Sequence, residues 1–129
     1  MKTIREVAEQ FEVSTRTIRY YEEIGLLKPQ RAANNQRLYS KAEIAKIKLI
    51  SRGKRYGFSL DEIKEMVLLF DKDRSGRKQL ERTIEYGKQR ISEIEAKIKE
   101  FQELKEEMEQ LLHKFSEKLN NIEGEQGYE

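Results

Sequence analysis

The stretch TRTIRYYEEIG, residues 15–25, places two arginines and two adjacent tyrosines within six residues and ends on a glycine. At 3.6 residues per turn, Ile18, Tyr21 and Glu22 share one face of a helix, and Arg16, Arg19, Tyr20 and Glu23 share another. The two tyrosines therefore point about 100° apart. Tyr21 is placed for a core and Tyr20 for a partner. A helix that presents Thr15, Arg16, Arg19 and Tyr20 outward suits double-stranded DNA. Arginine can read guanine through two parallel hydrogen bonds, and hydroxyl groups position the phosphate backbone.

The surroundings support a DNA-reading helix. Upstream, Thr3-Ile-Arg-Glu6 has the pattern of a capping box and opens a helix over about 3–11. Ser14 caps the helix that carries the arginines, and only Glu12 and Val13 separate the two. A joint that short forces a sharp angle, as in a helix-turn-helix. Residues 26–39 predict a hairpin with its turn at Asn34-Asn35. In its last strand Arg37, Leu38 and Tyr39 should alternate out, in, out. With Lys28 and Arg31 this makes a basic wing for a phosphate strand. Ser40 and Glu43 predict a third helix over 40–54, and Ser59 and Glu62 a fourth over 59–71. Gly25, Gly53 and Gly57 stand where helices should stop. Between the last two helices, residues 51–57 form a second basic loop that carries Lys54, Arg55 and Tyr56. It leads into a helix N-terminus whose free N–H groups favour anions.

Charge follows the same division. Residues 1–57 hold 13 Lys+Arg and 6 Asp+Glu, a sum of +7, while residues 58–129 hold 13 and 18, a sum of −5. A basic front half joined to an acidic back half fits a polyanion-binding module attached to something with another task. The 129 residues contain no cysteine and one histidine, His113. Disulfides, thiolate metal sites and cysteine nucleophiles are thereby excluded. No phosphate loop or convergent carboxylate pair suggests an enzyme, and no cofactor or metal is expected. No apolar run approaches the roughly 18 residues of a membrane span, so a cytoplasmic protein without membrane contact is the expectation.

From Leu80 a 4-3 spacing runs through thirteen positions to Ile122, and only Gly87 and Lys105 among them are not apolar. This is a coiled-coil seam. Its central members are Ile84, Ile91, Ile94, Ile98, Phe101, Met108, Leu112 and Phe115, and Leu104 and Leu111 widen the stripe midway. A helix this long and this polar elsewhere cannot bury its own stripe and needs a second copy or a partner. The expected organisation is a mainly α chain: a winged helix-turn-helix domain at 1–71, a connector at 72–77, a dimerisation helix at 78–119 and a flexible tail at 120–129.

The runs TIREVAEQFEVSTRTIRYYEEIGLL, RLYS and GFSLDEIKEM, followed by the long helix, resemble the MerR family of bacterial transcription regulators over about residues 3–120. The resemblance implies a winged helix-turn-helix that pairs through an antiparallel coiled coil and binds a palindromic promoter operator. Many such proteins distort the promoter so that RNA polymerase can engage it. It also implies DNA contacts from Thr15, Arg16, Arg19, Tyr20 and Tyr21 on the recognition helix, Arg37 and Tyr39 on the first wing, and Lys54, Arg55 and Tyr56 on the second. NNQRLY stands where the family commonly has Gly-Tyr-Arg at the hairpin. The segment from Arg52 to Arg82 is similar to the branch that controls branched-chain amino-acid and fatty-acid degradation. A small-molecule effector belongs to the same expectation, and metal or redox sensing through thiols does not. The alternative from another functional class is an architectural DNA-bending or recombination directionality factor. Such proteins are short and need no dimer helix.

Overall fold

The computed structural model describes residues 1–126. Strand β1 (Lys2–Thr3) leads directly into helix α1 (Ile4–Phe11), which is followed by α2 (Thr15–Glu23). Strands β2 (Gln30–Arg31) and β3 (Arg37–Tyr39) form the hairpin, and α3 (Lys41–Tyr56), α4 (Leu60–Lys72) and α5 (Arg77–Gln126) complete the chain. The helix starts are those the sequence marks. Thr3 and Ser59 each accept from the third residue of their helix, and Glu6 and Glu62 reach back to the cap N–H, so both capping boxes are complete. Ser14 accepts from the Thr17 N–H. Ser40 accepts from the Glu43 N–H, but the Glu43 carboxylate turns elsewhere.

That carboxylate accepts from the Lys28 N–H at 3.0 Å and from Lys46 Nζ at 3.0 Å, and Lys46 also reaches Asp71 at 2.7 Å. Lys46 is 2% exposed. Burial alone would lower its pKa, yet the Asp71 and Glu43 carboxylates outweigh burial and hold the ammonium above its ordinary value. One lysine thus joins the base of the hairpin, α3 and the end of α4. Around it lies a single apolar core that includes Val7, Ile18, Tyr21, Leu27, Ile47, Ile50, Ile63 and Val67. Glu12, at φ +53°, makes the sharp joint between α1 and α2.

Strand β1 was not expected from the sequence. It pairs antiparallel with β3, Lys2 opposite Tyr39 and Thr3 opposite Leu38, and β2 pairs with the other edge of β3. The hairpin strand is therefore the middle of three. Gly53 also departs from expectation. It does not end a helix; α3 continues past it to Tyr56 and stops at Gly57, φ +82°. Gly53 is buried, and a Cβ there would lie 2.8 Å from Ile63 Cγ1, so glycine allows α4 to cross α3 closely. The expected basic loop at 51–57 is thus mostly helix, and Lys54 and Arg55 sit in its last turn, where the helix dipole favours cations.

The chain divides into two compact units, the first Met1–Arg90 and the second beginning at Ile91. The first unit ends well beyond the expected boundary at 71, because the start of α5 is tied to α4. Arg82 Nε donates to Glu65 at 2.7 Å, the Tyr86 hydroxyl donates to the same carboxylate, and the Arg82 guanidinium lies over the Tyr86 ring at 4.4 Å. The Tyr86 hydroxyl, then Arg82, hold Glu65 below the usual carboxylate range. The α5 helix runs through 120–126, most of the expected flexible tail, and the last three residues of that tail lie outside the described residues.

The close crossing gives a direct test. Gly53→Ala should destabilise the protein by about 1–3 kcal/mol, because Ile63 is buried and cannot swing clear. Urea unfolding of the variant measures this, and an unchanged midpoint would show that the crossing has slack.

Candidate nucleic-acid interface

Helix α2 is nine residues long and buries one edge. Ile18 and Tyr21 are in the core, while Arg16, Arg19 and Tyr20 are exposed and Thr15 is half-buried at the first turn. Among the described residues, Arg16 and Arg19 make no hydrogen bond or ion pair with the protein, so their guanidinium groups are free for an external acceptor. The Tyr20 and Tyr21 rings sit 6.1 Å apart, one outside and one inside.

Two neighbouring elements are clamped to this helix. On one side, Glu22 accepts from Arg37 Nε of β3 at 2.7 Å and lies 3.8 Å from the Arg31 guanidinium of β2. The hairpin is thereby held against α2 by its own basic residues. On the other side, Lys54 Nζ, from the last turn of α3, lies 5.1 Å from the Tyr21 ring centroid. Arg55 and Tyr56 beside it are exposed, and the Tyr56 carbonyl accepts from Arg90 Nε of α5 at 2.7 Å. The hairpin turn has the expected chemistry: Asn35 adopts φ +65°, and Asn34 Oδ1 accepts from the Gln36 N–H.

Tyr39 overturns an expectation. It is 0% exposed, in the core with α1 and α3 over the strand, and so it offers no surface to DNA. The alternation along β3 correctly puts Arg37 and Tyr39 on the same face, but that face is turned to the helices, as the Arg37–Glu22 pair also shows. With β1 covering the other edge, β3 is an interior strand. Burial, then the Glu22 charge, push the Tyr39 phenol above its ordinary value. Tyr21, 3% exposed, is a packing residue whose ring supports Lys54. The residue that the sequence reading passed over is Glu22. Its place on the inward edge with Ile18 and Tyr21 was legible, and a carboxylate on such an edge needs a cation.

Along α5 the seam is uncovered. Ile84, Ile91, Ile94, Ile98, Phe101, Met108, Leu112 and Phe115 are between 42% and 68% exposed.

Residues 2–68 match the MerR HTH family regulatory protein domain, and residues 44–111 match the MerR DNA-binding domain. The chain belongs to the MerR family. It is 34% identical to the HTH-type transcriptional regulator HmrR of Rhizobium leguminosarum bv. viciae over 111 residues, which cover 85% of this chain and 83% of that protein. It is 33% identical to CueR of Salmonella typhi over 107 residues, covering 81% and 75%. Among solved structures, a MerR family regulator from Listeria monocytogenes superposes with a TM-score of 0.75 over 98% of this chain and 99% of that chain, at 22% identity. HiNmlR, a family member lacking the sensor domain and bound to promoter DNA, gives 0.63 at 24% identity over 81% and 83%. These two likenesses concern the fold. This MerR protein is a DNA-binding transcriptional regulator, and its relatives are regulators too. The similarity to the branch that controls branched-chain amino-acid and fatty-acid degradation gains no support from them. No described helix is long and apolar enough to cross a membrane.

Because Tyr39 is enclosed, Tyr39→Phe should leave operator affinity within about twofold, whereas loss of a bonded phosphate contact would cost about 1–3 kcal/mol. A gel-shift titration distinguishes the two. A tenfold loss with folding intact would return Tyr39 to the interface.

Proposed function

We propose that this regulator binds a palindromic promoter operator as a homodimer, with α2 of each subunit in the major groove. Arg16 and Arg19 supply base and phosphate contacts, and Thr15 and Tyr20 position the backbone. Arg37, with Arg31, forms the first wing, and Lys54, Arg55 and Tyr56 form the second. The residues in the seam pair two copies through an antiparallel coiled coil. The dimer then distorts or occludes the promoter and so controls its use by RNA polymerase. The observation that carries this reading is the outer face of α2, where two arginines stand exposed with no hydrogen bond or ion pair among the described residues, beside an exposed tyrosine, while the opposite edge is clamped on both sides. The DNA-bound state of HiNmlR supports the partner, and the exposed seam supports pairing.

Input to the switch would come from a small-molecule effector. Some relatives are named heavy-metal-dependent regulators. This chain has no cysteine, and the described residues include no cluster of His, Asp or Glu suited to a metal ion. Metal sensing through thiols is therefore outside this proposal.

Arg19→Ala tests the reading. If Arg19 reads a base, the variant should bind its operator about 1–3 kcal/mol more weakly and lose discrimination at one position. If it contacts phosphate only, all sequences should weaken alike and the salt slope should fall by about one unit. Unchanged operator affinity with intact folding would contradict the assignment of α2.

A further inference from the structure

Past the end of α2 the chain turns into the hairpin, and its backbone donors show how. The Gly25 N–H donates to the Glu22 carbonyl, and the Leu26 and Leu27 N–H groups donate to that of Tyr21. Lys28 is the first residue whose N–H meets no backbone acceptor. It donates to a carboxylate oxygen of Glu43, 15 residues further on, at 3.0 Å. Lys28 precedes Pro29, which favours extended backbone at Lys28, and Pro29 has a fixed φ and no N–H. The two exposed residues of β2 follow at once. Between Leu27 and the β2–β3 ladder, the bond to Glu43 is the one hydrogen bond that the backbone makes among the described residues.

The acceptor is an unusual one. Glu43 is 8% exposed, and its other oxygen accepts from Lys46 Nζ at 3.0 Å. Ser40 and Glu43 have the spacing of a capping box, yet the carboxylate turns to the distant N–H. Replacing a buried ion pair by apolar residues of similar size is often neutral or stabilising, so stability alone does not call for these charges. What an apolar side chain cannot supply is an acceptor aimed at one N–H. The Lys28 side chain is exposed, and its ammonium makes no hydrogen bond or ion pair among the described residues.

We propose that Glu43 is a positioning residue for DNA binding, which holds the Lys28 backbone so that the Lys28 ammonium and the arm carrying Arg31 meet a phosphate strand. This rests on the first wing of the function proposed above. Lys46 neutralises the carboxylate, and Asp71 secures Lys46 from α4 at 2.7 Å. An acid is thus required for binding a polyanion that it does not touch. Charge alone predicts the opposite, since removing a carboxylate makes the head more basic.

Two full-length variants of unchanged net charge separate the acceptor from the ion pair. Glu43→Gln/Lys46→Met removes both charges and keeps a carbonyl oxygen for the Lys28 N–H. Glu43→Leu/Lys46→Met removes that oxygen as well. Urea unfolding checks that both fold. The first should bind the operator within about threefold of the wild type. The second should bind about tenfold more weakly, the scale of one lost hydrogen bond, and its salt slope should fall by about one unit as a phosphate contact is lost. Discrimination against an operator with a changed base pair under α2 should stay the same in all three proteins, which a general loosening of the head would not allow. In hydrogen exchange, the Lys28 N–H should be protected in the wild type and the glutamine variant and exposed in the leucine variant. Equal operator affinity in the two variants would overturn the proposal. So would a Lys28 N–H that exchanges freely in the wild-type protein, with no variant needed. Lys28→Ala keeps the N–H and loses only the ammonium, so an unchanged salt slope in that variant would overturn the wing reading itself.

Discussion

A nine-residue helix has too few hydrogen bonds to persist alone in water, so α2 exists only because its inner edge is held. Ile18 and Tyr21 anchor that edge in the core, Glu22 grips Arg37, and Tyr21 underlies Lys54. These contacts fix the direction in which Arg16, Arg19 and Tyr20 point. They also place the two wings, because each wing touches α2 through a charged residue. A change on the hidden edge would disturb all three elements proposed to face DNA at once, whereas a change at Arg19 leaves the scaffold alone.

The second constraint is the apolar stripe of α5. Leaving it in water costs roughly 1.5–3 kcal/mol for each large side chain that pairing would fully bury, so the stripe favours the proposed pairing. In the proposed dimer each copy contributes one DNA-binding head and one pairing helix. Arg82 and Tyr86, gripping Glu65, fasten the start of α5 to α4, and Arg90 fastens it to the carbonyl of Tyr56. The end of α3 is thus joined to α5 by a hydrogen bond from the Arg90 side chain. If straight DNA does not present its half-sites at the spacing of the heads, the duplex must bend or untwist, at an elastic cost of about 1–6 kcal/mol. An effector would act by binding the two head spacings with unequal affinity.

Much of this was legible because it is local or periodic. Caps at Thr3, Ser14 and Ser59 depend on residues within one turn, and the seam repeats often enough to identify itself. The failures share one cause, tertiary contact. Glu43 has the sequence of a capping-box partner, but Lys46 and the Lys28 N–H compete for its carboxylate. Gly53 looks like a helix stop because a glycine that ends a helix and one that admits a crossing helix are the same letter. For Tyr39, alternation fixed which residues share a face and not which way the face turns. The packing of α1 and α3 over the strand decides that, a tertiary contact with no local pattern.

The central proposal is that the two heads of a dimer read two half-sites together. Inserting one base pair at the centre of the operator tests it most directly, because the insertion moves the half-sites without altering either sequence. The account predicts that tight binding is lost while each isolated half-site keeps its weak affinity. Undiminished binding to the lengthened operator would contradict it and show that the heads act independently.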